Sequence, residues 1–568
     1  MARSTGVPFG RAQVLVNADL RTMTGTRAEA LAFAGEELLA VGSRAEAVAA
    51  AGPDAEVVDV SGATVLPGFI DAHHHASMVA LWGGRLRLVP PRVTSIATLQ
   101  TALAAAARDA DGDWLIATDW DELCLEERRA PTRRELDEAV PDRPLLAMHY
   151  SCHRAVVNSR ALELAGIARH SADPTGGVIS RDHRGEPDGL LIERGMSRVE
   201  TLARASAVAQ DAEGFFARLA EHYRNLVAAG ITRIVDATVP ADLAALYREA
   251  DRRGLIPVPT VMMPVSLQGY LEAPWDAMDG PSTGEASGNL TVGALKLVFD
   301  GAPACAMCLG IWQMAGTMIG TFARAVSDRS LDALRATMSV APRLGRKVRT
   351  GIRIYAAQEA QDVVNAAVER GFGVAIHAIG NDAVGLALDA YESCGGKLDR
   401  AGVPRLEHAT FLDSELVTRI AAAGIAVVAQ PHFLSLPAMG SAPSIPGLRN
   451  SPLRWLLDGG VRVVGSSDFP VAGFHPLDGV RSAVTRRTNR GRALEPDQRI
   501  TLDEALACYT RSAAEVCGCL DRAGTLEPGK RADFVVLDRA LTDIESLDRA
   551  CVRATVIGGE LVHGTLAG

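Results

Sequence analysis

Eight short apolar segments, most of them followed by a helix-like stretch rich in Ala, Leu and Arg, recur through the middle of the chain and constrain its fold most strongly. Near-continuous apolar runs with many β-branched residues are typical of parallel strands that are buried on both faces. The alternation of such strands with helices predicts an α/β protein, a (β/α)8 TIM-like barrel. The eight segments span residues 65–75, 232–238, 257–264, 290–301, 372–380, 404–410, 425–431 and 461–470.

The two ends of the chain show a different pattern, in which short alternating strands are separated by turns that contain Gly. This pattern at both termini predicts one small β-sandwich domain, built from residues 1–64 together with residues 522–568. Residues 65–521 then form the barrel. The first two barrel segments are separated by far more chain than one helix needs, so residues 85–200 are expected to be an inserted region at the barrel mouth, where loops build active sites.

The bulk composition restricts the partners of the chain. The 568 residues are 48% hydrophobic and 22% charged, which is enough apolar sequence to bury a large core. The net charge of -10, without a block of Lys or Arg, argues against nucleic acid and against an anionic membrane surface as partners. No apolar run approaches the length that spans a bilayer, and the first residues lack the apolar core of a secretion signal. A small molecule is the expected partner, and a homodimer is one assembly open to the chain.

The nine cysteines are an odd number scattered over a long chain, which suits reduced thiols better than a disulfide framework. The expected location is therefore the cytoplasm. Cys305 and Cys308 form a CxxC pair, and Cys517 and Cys519 form a CxC pair, so a second metal site is an alternative. Buried or incidental thiols are the favoured interpretation, because no matching pair lies at zinc-finger spacing.

The stretch GFIDAHHH, residues 68–75, ends the first barrel segment. Successive side chains of a strand point to opposite faces, so His73 and His75 share the face toward the barrel mouth, and His74 points toward a helix. Active sites of barrel enzymes lie where the carboxyl ends of the strands meet. Five strand ends carry residues of suitable chemistry, which are His73 with His75, Lys296, His377, His408 and Asp468.

Any one of these histidines, taken alone, is more often a buried or surface group than a ligand. Four histidines, one lysine and one aspartate at the ends of five strands predict a site for a divalent metal, because neutral imidazole and carboxylate are common zinc ligands. Zinc is the expected ion, with one or two ions per chain.

Several stretches along nearly the whole chain resemble the amidohydrolase superfamily, specifically the family-3 branch that includes N-substituted formamide deformylases. They are PGFIDAHHH, KLVFDG, HAIGNDAV, RLEHAT, SSDFPV and GTLEPGKRADFVVLD, with PTRRELDEAVPDRPLL and HRAVVNSRAL in the inserted region. The resemblance implies the barrel, the terminal β-sandwich, a divalent metal site and hydrolysis. It also implies that His73, His75 and Asp468 bind one metal, that His377 and His408 bind the other, and that Lys296 bridges both as a carbamate formed with CO2.

A metal-bound hydroxide is a nucleophile at neutral pH. The resemblance implies that it attacks a C–N amide-type bond in a small molecule, such as an N-substituted formamide, an N-acyl amide or a cyclic amide. Asp468 is expected to be catalytic, taking the proton of the attacking water and passing it to the leaving nitrogen. A role of Asp468 as a metal ligand only stays open.

Three rival functions are weighed against amide hydrolysis. An aminohydrolase (deaminase) on this fold typically carries Glu three residues after the fifth-strand histidine, but Gly380 stands there and Lys296 is present, which disfavours a deaminase. A phosphotriesterase-like or lactonase-like ester hydrolase would use the same ligands and stays the alternative. A non-catalytic binding protein is expected to have lost ligands, and none of them is missing.

Candidates for substrate contact come from two regions. His153, in the inserted region, is a candidate catalytic and substrate-binding residue by family resemblance, although a surface or core role is an equal alternative. Asp121 in the inserted region and His432 just after the seventh strand are further substrate-binding candidates. Asp119 and Glu193 are weaker ones.

Overall fold

The computed structural model describes residues 7–8, 11–109, 112–265, 276–301, 305–327, 347–400, 402–436, 444–489 and 491–567. Its centre is the predicted barrel, a TIM-barrel-like α/β fold with the strands in the predicted chain order. The barrel strands are β1 Phe69–His74, β2 Ile231–Val239, β3 Thr260–Pro264, β4 Leu295–Val298, β5 Val374–Ala378, β6 Arg405–His408, β7 Ala426–Ala429 and β8 Val463–Gly465.

All barrel strands run parallel. Strands β1, β2 and β3 pair in one sheet, and β4 to β8 pair in order in a second sheet. A parallel bridge between Val265 and Lys296 joins β3 to β4. Just beyond β8, the backbone N–H of Asp468 donates a hydrogen bond of 2.8 Å to the carbonyl oxygen of His73 on β1. These contacts close the barrel and place the ends of β1 and β8 side by side.

Helices surround the barrel, and most of them present an apolar face to the buried strands, whereas helix Ile311–Ser327 exposes Trp312 and Ile319. Gly371 and Gly424 follow two of these helices and adopt left-handed φ values of 84° and 63°, a common way for a helix to end. The barrel helices are Ala76–Trp82, Ser197–Gln210, Ala212–Ala228, Ala241–Arg252, Ile311–Ser327, Ala357–Glu369, Asn381–Ser393, Ser414–Ala422, Leu453–Asp458, Pro476–Thr485, Leu502–Cys508 and Arg511–Val516.

Strands from both chain termini form two further sheets with a shared apolar core, in which the rings of Phe33 and Phe534 lie 5.3 Å apart. The four-stranded sheet contains Gln13–Val16, Ala30–Ala34, Glu37–Gly42 and Glu56–Asp59. The same terminal segments also contain the helices Arg44–Ala51 and Ile544–Arg549. The seven-stranded sheet contains Val7–Pro8, Asp19–Arg21, Arg27–Ala28, Thr64–Pro67, Phe534–Leu537, Val552–Ile557 and Glu560–Gly564.

Two of the predicted barrel segments are not single strands, and the prediction was wrong in this respect. Segment 65–75 divides at Gly68, because Thr64–Pro67 belongs to the terminal sheet and β1 begins at Phe69. A Cβ atom at Gly68 would come within 2.2 Å of the Thr232 hydroxyl oxygen, so β2 crosses close to the chain at this division. Segment 290–301 also divides, since Leu290–Val292 pairs with β3 and a separate strand, β4, begins at Leu295.

The region between β1 and β2 forms its own six-stranded sheet with a core around the buried Trp120. The indole N–H of Trp120 donates to the carbonyl oxygen of Ala147 at 2.9 Å, which joins two of these strands. The strands are Leu86–Arg87, Leu115–Trp120, Leu145–His149, Arg154–Val157, Gly177–Arg181 and Pro187–Glu193, with helices Ile96–Asp109, Arg133–Ala139 and Ser159–Leu164.

The nine cysteines are all free thiols. Neither Cys305 nor Cys308 belongs to a group of three or more metal-binding side chains among the described residues. Within the same ranges, no helix combines the length and the apolar character that crossing a membrane requires.

Candidate metal centre

Three residues from three barrel strand ends lie together at the floor of a central cavity. His73, His408 and Asp468 each offer a ligand atom, and these atoms all lie within 4.8 Å of one another. The Asp468 Oδ1 atom is 3.3 Å from Nε2 of His73 and 3.0 Å from Nε2 of His75. Asp468 has a left-handed φ of 57°, an unusual conformation for a residue with a side chain, next to two imidazoles. The Asp468 carboxylate thus contacts both His73, on β1, and His75, just after β1.

His377 and His408 complete the group of imidazoles. Their ring centroids are 4.4 Å apart, and the ring of His408 is 4.9 Å from that of His73. Burial holds the pKa of His377 well below its ordinary value and lowers the pKa of His408 to about 3, with positive neighbours adding to the effect at His377. Both rings are therefore neutral at pH 7, which is the form that binds a metal.

A carboxylate behind His73 orients its ring. The Nδ1–H group of His73 donates to Glu407, the residue that precedes His408 on β6. Arg405 in turn donates from Nε to Glu407 Oε1 at 2.5 Å, so the buried carboxylate is held on both sides. Because Nδ1 carries the proton, Nε2 of His73 is left as a lone-pair donor that faces the cavity.

An amide orients His408 in the same way. The Nδ1 atom of His408 lies 2.7 Å from Oε1 of Gln430, at the end of β7. The amide nitrogen of Gln430 donates to the Val428 carbonyl oxygen at 3.1 Å and to the Ser466 hydroxyl at 3.0 Å, which leaves Oε1 to accept from His408. His408 also presents Nε2 to the cavity as a result.

Lys296 lies on β4, is only 2% exposed and lines the same cavity as the histidines. Burial lowers the pKa of Lys296 to about 8, although the carboxylates of Glu407 and Asp468 oppose the shift. Asp300 is not its partner among the described ion pairs, since its carboxylate accepts backbone N–H groups of Ala306, Ile379 and Gly380 at 2.9 Å each. The lysine therefore lies among the candidate ligands with an amine that loses its proton readily.

The donor set fits a divalent cation. The Nδ1 atom of His75 and the Nε2 atom of His377 are buried and have no hydrogen-bond partner within the described ranges. Buried polar atoms are nearly always satisfied, and Nε2 of His377 has only Asp300 Oδ1 at 3.6 Å, so both nitrogens fit binding to a further group. Neutral imidazole nitrogens and carboxylate oxygens are common zinc ligands.

The walls of the cavity come from the inserted region and from helices that flank β1 and β2. The inserted region contributes Met148, Ser151, Cys152 and His153, which places it at the barrel mouth. The remaining wall is largely apolar, which suits a small organic molecule. Its apolar members are Met78, Leu81, Trp82, Pro240, Leu243, Val298 and Val471.

His153 reaches the cavity from the inserted region. Its Nδ1 atom is 2.9 Å from Oε1 of the buried Glu193, and its ring centroid is 5.3 Å from that of His377. Burial opposes the charged imidazole, but the attraction and hydrogen bond of Glu193 outweigh this, so the pKa of His153 lies above its ordinary value. His153 is thus positioned to donate a proton or a hydrogen bond into the cavity.

The sequence profile of the Amidohydrolase family matches residues 56–563. The chain belongs to the amidohydrolase family. This amidohydrolase is 33% identical over 545 residues to the N-substituted formamide deformylase of Arthrobacter pascens, which covers 93% of this chain and 94% of that protein. It is 28% identical over 525 residues to the putative amidohydrolase YtcJ of Bacillus subtilis strain 168, with coverages of 90% and 91%. The protein is accordingly an enzyme, a hydrolase of this family.

A solved structure supports the fold of the amidohydrolase. The chain superposes with a TM-score of 0.67 on an uncharacterized metal-dependent hydrolase from Pyrococcus horikoshii OT3 at 21% identity. The match covers 93% of this chain and 98% of that one, so the barrel, the inserted region and the terminal sheets are compared together.

Two residues predicted to contact substrate do not line the central cavity of the amidohydrolase. Asp121 caps the short 3-10 helix Glu122–Cys124, where its Oδ1 atom accepts the Leu123 N–H at 2.8 Å. His432 is buried with Nδ1 3.2 Å from the Ser466 carbonyl oxygen and Nε2 2.9 Å from the His475 carbonyl oxygen. Local polar contacts occupy both side chains, which explains why neither reaches the cavity.

The weaker candidates divide in the same way. Asp119 accepts a hydrogen bond of 2.7 Å from Nε of Arg87 beside a neighbouring cavity, whereas Glu193 contacts His153 at the central one. His74 points away from the cavity, and its Nε2 atom is 2.7 Å from Nε2 of His222 on helix Ala212–Ala228.

Sequence patterns gave no sign of Glu407, Gln430, Glu200 or Arg204 as site residues of the amidohydrolase. Glu407 could have been found from its position immediately before His408 on a buried strand, because a charged residue in such a strand requires a partner. Gln430 follows β7 at the barrel mouth and offered a similar, weaker signal. Glu200 and Arg204 lie on a surface-like helix, and no signal in the sequence distinguishes them.

Proposed function

We propose that this enzyme hydrolyses a C–N amide-type bond of a small molecule, with N-substituted formamides as the first substrate class. The convergence of His73, His408 and Asp468 from three separate strand ends on one cavity carries the proposal. The identity of 33% with an N-substituted formamide deformylase over nearly the whole chain supports it. The largely apolar wall suits an organic substituent on the amide.

The proposal includes a metal centre with one or two divalent ions. His73, His75 and Asp468 would hold one ion, His377 and His408 the other, and Lys296 would bridge them as a carbamate. When bound, such ions, zinc being the expected one, lower the pKa of water and polarise a carbonyl group. Lys296 contributes an amine that burial keeps easy to deprotonate, which is the form that reacts with CO2.

Asp468 is proposed as the group that moves the proton. Burial disfavours its ionised form, but its contacts with His73, His75 and His408 outweigh burial and hold the pKa of Asp468 well below its ordinary value. The carboxylate is therefore ionised at neutral pH and can accept a proton from the attacking water. Transfer of that proton to the nitrogen makes the amine a competent leaving group.

His153 is proposed to bind the substrate and to assist catalysis. Glu193 raises the pKa of His153, so the imidazolium persists to higher pH and can donate a hydrogen bond to the substrate carbonyl oxygen. The buried Glu193 also holds the ring in place against rotation.

We further propose how the chain is divided and where it acts. Residues 1–64 and 522–568, extended by the strand Thr64–Pro67 of their sheet, would form one composite β-sandwich domain. The rest of residues 65–521 would form the catalytic barrel, with residues 85–200 as the inserted region that shapes the substrate wall. The proposed partner is a small molecule in the cytoplasm, and a homodimer is the proposed assembly.

A substrate panel tests the proposed reaction. Zinc-loaded protein is incubated with N-substituted formamides, longer N-acyl amides, cyclic amides, carboxylic esters and phosphotriesters, and the released amine, acid or alcohol is measured. Turnover of formamides above the other classes is the expected result. A control with His73→Ala and His75→Ala combined should be inactive. Turnover of esters or phosphotriesters with inert amides would contradict the assignment.

A further inference from the structure

The side chain of Glu200 is an unusual feature of the cavity wall. Glu200 lies in the first turn of helix Ser197–Gln210 and, with Asp468, is one of two carboxylates among the described residues that line the cavity. Its Oε2 atom is buried and has no hydrogen-bond partner within the described ranges. A buried polar atom without a partner costs about 1–3 kcal/mol, and more when it is charged. Among the described residues, the cavity wall therefore contains a carboxylate oxygen that is free to accept a hydrogen bond.

Arg204 is a cation beside Glu200, but its described hydrogen bond goes to another carboxylate. Arg204 lies one turn later on the same helix, but its Nε–H group donates to Asp242 Oδ2 at 2.8 Å. No described ion pair joins Arg204 to Glu200, and Glu193 is paired with His153. Arg204 lines the same cavity and attracts the ionised form of Glu200 through space, but no hydrogen bond between the two side chains lies among the described contacts. Burial raises the pKa of Glu200 above its ordinary value, and the charge of Arg204 opposes this shift without cancelling it.

We propose that Glu200 binds a protonated amino group of the substrate, so that the enzyme prefers small amides whose substituent ends in a primary ammonium. The inference rests on the proposed amide hydrolysis and names the substrate class of that site. Met78, Leu81, Trp82 and Leu243 line the same cavity and would cover an apolar stem between the amide and the ammonium. An ammonium provides three donors and a positive charge, the complement of an unpaired carboxylate.

Two formamides of matched shape test this assignment. N-[4-(aminomethyl)benzyl]formamide carries an ammonium where N-(4-ethylbenzyl)formamide carries a methyl group. Zinc-loaded wild-type enzyme should show the higher kcat/KM for the ammonium substrate. Glu200→Gln should lower that kcat/KM at least about tenfold, mainly through KM, and keep the neutral substrate within about twofold, since a charged hydrogen bond contributes about 1.5–3 kcal/mol.

Control variants separate recognition from damage to the fold. Glu213→Gln on helix Ala212–Ala228 makes the same chemical change at an exposed carboxylate and should leave the substrate preference unchanged. Glu200→Met removes polarity as well as charge and should lose the preference too. Zinc content and melting temperature of each variant identify a misfolded protein. Equal losses for both substrates in a folded, zinc-loaded Glu200→Gln would overturn the assignment.

Binding at equilibrium distinguishes this inference from the proposed reaction. Calorimetry with p-xylylenediamine and with 4-ethylbenzylamine measures the effect of the second ammonium on zinc-loaded protein without any turnover. Diamine binding that Glu200→Gln weakens about tenfold would support the inference even if neither formamide is hydrolysed, which would overturn amide hydrolysis alone. Hydrolysis of both formamides without any dependence on Glu200 would overturn the inference alone. Absence of hydrolysis and of Glu200-dependent binding would overturn both.

Discussion

His73 on β1 and Glu407 on β6 are hydrogen bonded through Nδ1 of the imidazole, although 334 residues separate them in the sequence. The contact crosses the interior of the barrel and is itself supported by Arg405. It assigns the proton of His73 to Nδ1 and turns Nε2 toward Asp468, 3.3 Å away. One buried carboxylate thereby decides which nitrogen of a distant histidine is free to bind.

Glu407→Gln is expected to weaken zinc binding about 10–100-fold, the usual effect of removing a carboxylate that orients a histidine ligand. Arg405 would also lose its charged partner, so the melting temperature should fall. Competition with a chromophoric chelator measures the zinc affinity, and circular dichroism shows whether the variant is folded. Glu163→Gln, an exposed carboxylate paired with Arg160, is the control. Unchanged affinity in a folded Glu407→Gln would contradict the orienting role.

Lys296 is expected to carry a carbamate in the metal-loaded enzyme. Protein loaded with zinc in 13C-bicarbonate should give a carbamate carbon resonance in NMR, because metal binding stabilises this otherwise labile group. Lys296→Ala should lose the resonance, and added short carboxylates should restore part of its activity by replacing the bridge. A fully active, zinc-loaded enzyme without the resonance would exclude the carbamate and leave a site built without a bridge.

Asp468→Asn is expected to lower kcat at least ~100-fold, the usual scale for loss of a group that transfers protons. The amide keeps the shape of the side chain but cannot accept the proton of the attacking water. Zinc content has to be measured beside kcat, because Asp468 is also a candidate ligand. Near-normal turnover by zinc-replete Asp468→Asn would show that another group moves the proton.

The pH dependence should report the pairing of His153 with Glu193. Because the pKa of His153 is raised, its imidazolium and the stabilising ion pair are fully present below the ordinary histidine value of about 6.5 and are lost as the pH rises through the higher folded-state value. If His153 acts in its protonated form, kcat/KM falls along that alkaline limb. Glu193→Gln should move the limb to lower pH, and His153→Gln should remove it. An alkaline limb that stays in place in Glu193→Gln would contradict the pairing.

Removal of metal should abolish activity and lower the melting temperature, because ligands that bind only the folded state stabilise it. Elemental analysis is expected to find one to two divalent ions per chain after expression in metal-supplemented medium. Dialysis against a chelator followed by zinc should restore both properties. Less than about a tenth of an equivalent in an active preparation would exclude the metal centre, since such ions bind tightly.

The positions of His377 and His408 could be predicted from the sequence because each ends a buried apolar strand. In a barrel, the carboxyl ends of the strands share one face, so the order along the chain sets the position in space. The same reasoning found Lys296, which lies in an apolar segment. The division of segment 290–301 could not be predicted, because it depends on contacts with β3. Leu290–Val292 pairs with β3, and Gly293 packs closely against Val261 of the same strand.

The residues that surround the ligands could not be predicted in the same way. Glu407 lies opposite His377 in the pairing of β5 and β6, yet its hydrogen bond runs to His73 on β1. A local sequence pattern does not predict which acidic side chain will hydrogen-bond to which histidine, because that pairing depends on how the barrel closes. Asp121 shows the opposite error. It was predicted to bind substrate because it lies in the inserted region, but its carboxylate caps a 3-10 helix instead.

The closure of the barrel has a consequence for the synthesis of the protein. Asp468 and His75 are 3.0 Å apart in the folded chain but 393 residues apart in the sequence, and the backbone of Asp468 joins the end of β1. A nascent chain carries His73 and His75 out of the ribosome long before their carboxylate exists. The candidate metal centre is thus completed late in translation, and a chain that is interrupted before Asp468 lacks the group that joins its first strand to its last.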